Sequence, residues 1–187
     1  VTGTTSIDRP AAIRRALRDL VATRGFHGAS MSAVADDAGV ATGTAYVHYA
    51  SKEELVYATY LEIKQELGTA VLNGYDESAP PFERWRHVLR SAFEFLGAEP
   101  ERARFLSQLE ESPFHEEAHA RLVAQGDPLV EVASRPDMAE LLIALPTTVI
   151  HALSLGVAVR LIAAGNRLTS DELDELVRAT WRAVTKP

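Results

Sequence analysis

The sequence predicts an all-α protein. Apolar residues recur at helical spacing in segment after segment, helix-start and helix-stop signals separate those segments, and no stretch alternates as a strand would. There is no internal repeat and no low-complexity tract. The 187 residues suffice for one large domain or for a small domain joined to a larger one.

Asp8 and Pro10 mark the first helix start. Ile13, Ala16, Leu17, Leu20 and Val21 then form one apolar stripe, and Gly25 ends it. Ser30 is placed to cap a short second helix that runs through Ala38, with Val34 and Ala38 inward and Gly39 as the stop. Thr42 is placed to cap a third, from Gly43 to Ala50. Two short helices around a glycine turn form a helix-turn-helix. Ser51, with Glu54 three residues on, reads as a capping box for a long fourth helix reaching Asn73-Gly74.

"DESAPP" is a loop, after which Phe82, Trp85, Leu89, Phe93 and Leu96 mark a fifth helix. Glu99-Pro100 opens another, which ends near Ser112-Pro113. Helical text continues to Ser134 with an interruption at Gly126-Asp127-Pro128. Pro136 is expected to open one long apolar helix to Ala164, kinked at Pro146. Thr169 and Glu172 box the last helix, whose apolar face is Leu173, Leu176, Val177, Trp181 and Val184.

Composition narrows the function classes. There is no cysteine, which excludes a disulfide scaffold, a thiol nucleophile and a cysteine-based zinc finger. Val1 to Asp8 lacks a charged-then-apolar leader, so the expected location is cytoplasmic. Arginine outnumbers lysine and alanine is abundant, as in a GC-rich bacterial gene. Leu141 to Val159 carries no charge and is nearly long enough to span a bilayer. Its Pro146, Thr147, Thr148, His151 and Ser154 favour a helix buried against protein partners, not a membrane span.

Net charge is -7, yet residues 1–52 hold six Arg and Lys against four Asp and Glu, a balance of +2 that leaves -9 for 53–187. A basic head on an acidic body suits a small nucleic-acid module on a partner-repelling body.

The third helix carries the chemistry. Thr42, Gly43 and Thr44 are small, so its N-terminal end could enter a major groove closely, the threonines offering hydroxyls and methyls to bases or phosphates. Tyr46, His48, Tyr49 and Lys52 are expected at flanking phosphates or sugars. From residue chemistry alone, a surface turn with locally packed aromatics remains the alternative.

"GFHGASMSAVADDAGVATGTAYVHYASKEEL" resembles the N-terminal domain of the TetR (tetracycline repressor) family. Gly25-Phe26, Ser30, Val34-Ala35, Ala38-Gly39-Val40, Gly43-Thr44, Tyr46-x-His48-Tyr49 and Ser51-Lys52-Glu53 match in register, within residues 13–55. Ala45 departs from the pattern, where the family usually has a larger apolar residue; Ser32 and Val47 hold variable positions that could face bases, and with Ser30 they complete the DNA contacts that the resemblance implies. The resemblance implies a DNA-binding domain at 1–52 and an all-α ligand-binding and dimerisation domain at 53–187. It implies a homodimeric, ligand-responsive repressor, not an enzyme, on a palindromic double-stranded operator, with no cofactor, structural metal or membrane anchor. The last two helices, near 137–164 and 170–184, would form a four-helix bundle between subunits, with Leu153, Val157, Leu161, Leu173, Val177 and Trp181 as apolar contacts. Trp85, Leu89, Phe93, Phe105, Leu109 and His151 are the expected wall of an effector cavity. A largely apolar interior with Arg90 and Arg104 as its only candidate cations favours a neutral or cationic apolar effector.

Two rival functions stand beside this. "HEEAH", His115 to His119, matches a zinc-hydrolase motif with Glu116 as base, although Pro113 sits two residues upstream and no third ligand stands out. A helical ligand-binding protein without DNA affinity is the other.

Overall fold

The computed structural model describes residues 8–187, and in them the chain is helical throughout, without a named strand. The chain opens with three helices, α1 (Arg9–Gly28), α2 (Met31–Asp37) and α3 (Thr42–His48), the first two with side-chain N-caps. Asp8 accepts from the Ala11 amide at 3.2 Å, and Ser30 accepts from the Ala33 amide at 3.2 Å. α1 is bent at Gly25, whose φ of +69° lets Phe26 turn into the body. Gly39, at φ +66°, ends α2: Val40 N–H bonds Ala35 O at 2.9 Å and Gly39 N–H bonds Asp36 O at 3.2 Å, a Schellman closure. Thr42 is not the expected cap. Ala41 occupies that position without a side-chain bond, and Thr42 is the first helical residue.

α4 (Lys52–Leu72) is the spine. Ser51 accepts from the Glu54 amide at 3.2 Å, while the Glu54 carboxylate turns to Arg121, so only half of the anticipated capping box forms here. α5 (Pro81–Ala98) and α6 (Pro100–Glu110) follow, then α7 (His115–Gln125) and α8 (Pro128–Ala133). α4 packs on α1, α5, α7 and α8, and α6 packs on α1. Gly68 lets α8 approach α4 closely: a Cβ there would lie 3.2 Å from the Pro128 ring. One apolar cluster runs from Ile13 to Val184 with no gap at residue 52.

The single long helix expected over 136–164 is not there. Instead α9 (Pro136–Ala139), α10 (Thr147–Ala152) and α11 (Leu155–Ala163) are separated by two breaks. The first has a clear cause. Pro146 has no N–H to donate and its ring opposes a preceding helical turn, so it starts α10 where a kink was expected. Residues 141–143 leave the helix and pair with the chain end in an isolated antiparallel bridge of Leu142 with Thr185: Ile143 N–H bonds Val184 O at 2.9 Å and Lys186 N–H bonds Leu141 O at 2.8 Å. The second break is at Ser154, whose hydroxyl bonds back to Ile150 O at 2.7 Å. Gly156 makes the joint tight, since a Cβ there would meet His151 O at 3.1 Å. α12 (Ser170–Val184) has the full capping box of Thr169 and Glu172 and packs on α5, while α11 packs on α5 and α6.

Candidate nucleic-acid interface and interior cavity

α3 presents two faces of opposite character. Ala45 is fully buried against α1 and α2, so its small side chain allows close seating. Outward, Val47 is 81% exposed and Tyr46 52% exposed. Gly43 and His48 are also exposed, with Thr42 and Thr44 half-buried beside them. A Cβ on Gly43 would meet nothing within 4 Å, so no packing inside the subunit requires glycine there; close approach by something outside it would. Ser30 and Ser32 are exposed at the start of α2, their hydroxyls 3.0 Å apart.

Two residues expected on this face are elsewhere. Tyr49 is buried: its hydroxyl accepts from Arg14 Nη1 at 2.6 Å and donates to Pro10 O at 3.3 Å, bracing α3 against α1. Arg14 also pairs with Glu62 on α4 at 2.6 Å, which ties three helices together. Lys52 is half-buried and its ammonium donates to Phe26 O, with burial lowering its pKa. Its first task is therefore to close the bend after Gly25. Arg9, Arg15 and Arg24 are exposed cations near α3, with His27 exposed among them, that the motif-based reading did not single out.

Beneath α4 the body is hollow. A lobe of about 470 Å³ lies among α4, α5, α6, α7 and α11, with Leu67, Leu96, Leu106, Leu109, Leu122 and Val159 in its wall. A smaller lobe of about 90 Å³ adjoins it, walled by Trp85, Leu89, Leu129, Met138 and Leu142 with Tyr75 and Arg84. Lys64, Asp127, Val130, Thr147, His151 and Leu155 front both lobes.

Of the six residues expected here, Trp85, Leu89, Leu109 and His151 line the cavity. Phe93 and Phe105 do not. Phe105 is fully buried against Phe26, ring centroids 5.7 Å apart, and belongs to the seam between the head and the body. The inward cations are also different ones. Arg90 pairs with Asp174 at 2.7 Å and Arg104 with Glu101 at 3.2 Å, neither in these lobes, while Lys64 and Arg84 line them. Lys64 could have been found: Tyr60, Lys64, Leu67 and Val71 share one face of α4, so its face was readable as buried.

His151 is held neutral, burial pushing its pKa down to about 4 with the Lys64 charge acting in the same direction. His115 and His119 stand on α7 with ring centroids 6.2 Å apart. Among the described residues no group of three or more His, Cys, Asp or Glu is placed to hold a metal ion. Among the same residues no helix is long and apolar enough to cross a membrane.

The residues expected between subunits divide. Leu153 is 38% exposed, and Val157 and Leu161 are half-buried. Val177 is 1% exposed and Leu173 9%, so both face their own subunit's core. Trp181 packs edge-on against Phe82 and Trp85, each 5.8 Å away, within the same chain. The second exposed apolar set is Leu141, Leu145 and Val149, on the segment whose helical form was misjudged.

An exposed second helix of a helix-turn-helix, on a hollow all-helical body, defines a DNA-binding transcriptional regulator. Residues 13–59 match the family described as bacterial regulatory proteins, tetR family, and residues 80–185 match the tetracyclin repressor-like C-terminal domain. The chain belongs to the TetR family. It is 26% identical over 172 residues to an HTH-type transcriptional regulator of Haemophilus influenzae, covering 89% of this chain and 90% of that one. The crystal structure of a Haemophilus influenzae TetR-family regulator superposes with a TM-score of 0.75 at 26% identity, over 96% of this chain and 97% of the other. A Marinobacter aquaeolei regulator shares the fold, with a TM-score of 0.80 at 21% identity over 96% of each chain. The repressor KstR2 of Mycobacterium tuberculosis is 27% identical over 117 residues, 63% of this chain and 49% of that protein. Regulators of this family bind DNA as dimers and are typically ligand-responsive repressors; they are not enzymes, and the zinc-hydrolase reading of His115 to His119 falls with that.

Proposed function

We propose that this chain is a repressor that holds a palindromic operator as a homodimer and releases it when a small, largely apolar effector fills the cavity under α4. Residues 1–52 act as the DNA-reading unit and 53–187 as the sensing and dimerising unit. In each subunit α3 enters the major groove, with Thr42, Gly43, Thr44, Val47 and His48 toward bases and backbone, and Tyr46, Ser30 and Ser32 at flanking phosphates. The observation that carries this reading is the contrast across α3: a fully buried Ala45 on one side, and on the other an exposed Tyr46, Val47 and His48 beside a glycine with open space above it.

The cavity adds the second half. α4 starts directly after the DNA-reading helix and forms the cavity roof, so one rigid element feels both sites. Two recognition helices must sit about 34 Å apart to meet successive major grooves, and a tilt of α4 changes that distance. To clear an occupied operator the effector must favour the displaced arrangement by several kcal/mol, about 5 kcal/mol for a near-complete switch.

Selection of binding sequences from a random DNA pool, followed by anisotropy titration, tests the reading. An inverted-repeat site should emerge, and Thr44→Val should weaken it while circular dichroism stays unchanged. Enrichment of no sequence over background would leave the helical ligand-binding reading in its place.

A further inference from the structure

The polar groups of the cavity are unbalanced, and the imbalance specifies a head group. Arg84 is 3% exposed, and its guanidinium gives one hydrogen bond, through Nη2 to Asp137. Its Nε and Nη1 are buried without a partner, and so is the Tyr75 hydroxyl that lies against it. Lys64, 7% exposed, has Asp127 Oδ2 at 3.6 Å as its nearest counter-charge, beyond hydrogen-bond reach. Asp127 is itself engaged, accepting the Leu129 amide on Oδ1 at 2.9 Å. Ser154 already bonds Ile150 O, and His151 is neutral. The unpartnered polar atoms of the small lobe are therefore donors, Arg84 Nε and Nη1 and the Tyr75 hydroxyl, while the charges of Arg84 and Lys64 are offset by Asp137 and Asp127. Buried donors are costly to leave unpaired, so such a set is complementary to an acceptor-rich group.

We propose, building on the effector-cavity reading above, that the effector is an amphiphilic monocarboxylate. Its apolar body occupies the larger lobe among Leu67, Leu106, Leu122 and Val159. Its carboxylate passes Lys64 into the small lobe and accepts from Arg84 and Tyr75. This replaces the neutral or cationic effector expected when Arg90 and Arg104 were the only inward candidates.

Calorimetric titration with decanoate, 1-decanol and decylamine tests the head group at constant tail. Intrinsic fluorescence gives a local second readout, since Trp85 lines the small lobe and the chain has two tryptophans. Decanoate should bind at least about tenfold more tightly than 1-decanol, as a charge-assisted bond replaces a neutral one. That margin should collapse in Arg84→Met and shrink several-fold in Tyr75→Phe, with 1-decanol affinity nearly unchanged; if Arg84→Met does not fold by circular dichroism, Tyr75→Phe decides. Equal or tighter binding of 1-decanol or decylamine, or a margin that survives both substitutions, overturns the carboxylate assignment and leaves the cavity reading standing. Binding of none of the three overturns both.

Discussion

Arg121 holds Glu54 at two points across 67 residues of sequence, Nη1 to Oε2 and Nη2 to Oε1, each at 2.8 Å. Glu54 lies in the first turn of α4, next to the DNA-reading helix. Arg121 lies on α7, whose His115, His119 and Leu122 front the larger lobe. The guanidinium also sits 4.2 Å above the Tyr57 ring and bonds Glu117 at 2.8 Å. The pair thus ties α7, in the wall of the larger lobe, to the first turn of α4 beside the DNA-binding head, alongside the direct packing of α4 on α7.

Arg121→Ala should uncouple more than it unfolds. The pair is substantially exposed, so stability should fall by no more than about 1 kcal/mol. Coupling energies between sites are about 1–3 kcal/mol, and losing the link should remove a measurable part of that. Operator affinity measured with and without a cavity ligand such as decanoate gives the ratio directly. A ratio as large in the variant as in the unaltered protein would show that the signal travels elsewhere.

Tyr46 and Tyr49 should separate cleanly. Tyr46→Phe removes an exposed hydroxyl, and should cost about 1 kcal/mol of operator binding with no change in melting temperature. Tyr49→Phe removes the brace between Arg14 and Pro10 and should cost a similar amount of stability, affecting DNA binding only through it. Thermal melts and anisotropy titrations on both variants check this; the opposite assignment would mean that α3 faces DNA by its other side.

These contrasts show what could be read in advance and what could not. α1 to α4 were legible because their signals are local: Ser30, Ser51, Gly25 and Gly39 act on amides within a few residues of themselves. Tyr49 was misplaced because an aromatic beside a DNA-reading helix looks the same in sequence whether it points out or in. The 136–164 region failed for a related reason. A continuous apolar run satisfies a helix, but the non-helical piece at 141–143 is fixed by hydrogen bonds exchanged with Val184 and Lys186 at the far end of the chain. Arg84 was not singled out because Asp137, its ion-pair partner, lies on α9, a short helix 53 residues away in sequence.

The dimer contact should lie on the exposed apolar positions of 145–153. Trp181→Glu is a poor probe, since Trp181 packs on Phe82 and Trp85 and a charge there would damage the subunit itself. Leu153→Arg places a charge on a side chain that is already 38% exposed, and should shift the protein toward monomers while leaving its helicity intact. Operator affinity should fall steeply, because two linked half-site contacts become one. Sedimentation equilibrium checks the assembly, and a dimer of unchanged strength in Leu153→Arg would move the contact to another face.

His151 should make the protein acid-sensitive. Its pKa is near 4 in the folded chain and near 6.5 when exposed, so between those values the unfolded chain binds more protons. Stability therefore rises with pH across that window: the contribution is complete above about pH 6.5 and is lost as pH falls toward 4. The upper bound is about 3 kcal/mol, reduced by whatever solvent the cavity admits. Chemical denaturation of the unaltered protein and of His151→Gln, at matched pH values from 4 to 7.5, isolates the effect from the carboxylates that titrate in both. The unaltered protein should lose stability more steeply on acidification than the variant. Parallel curves would mean that His151 is protonated as readily in the folded chain as in the unfolded one, and that the cavity wall is wet at that point.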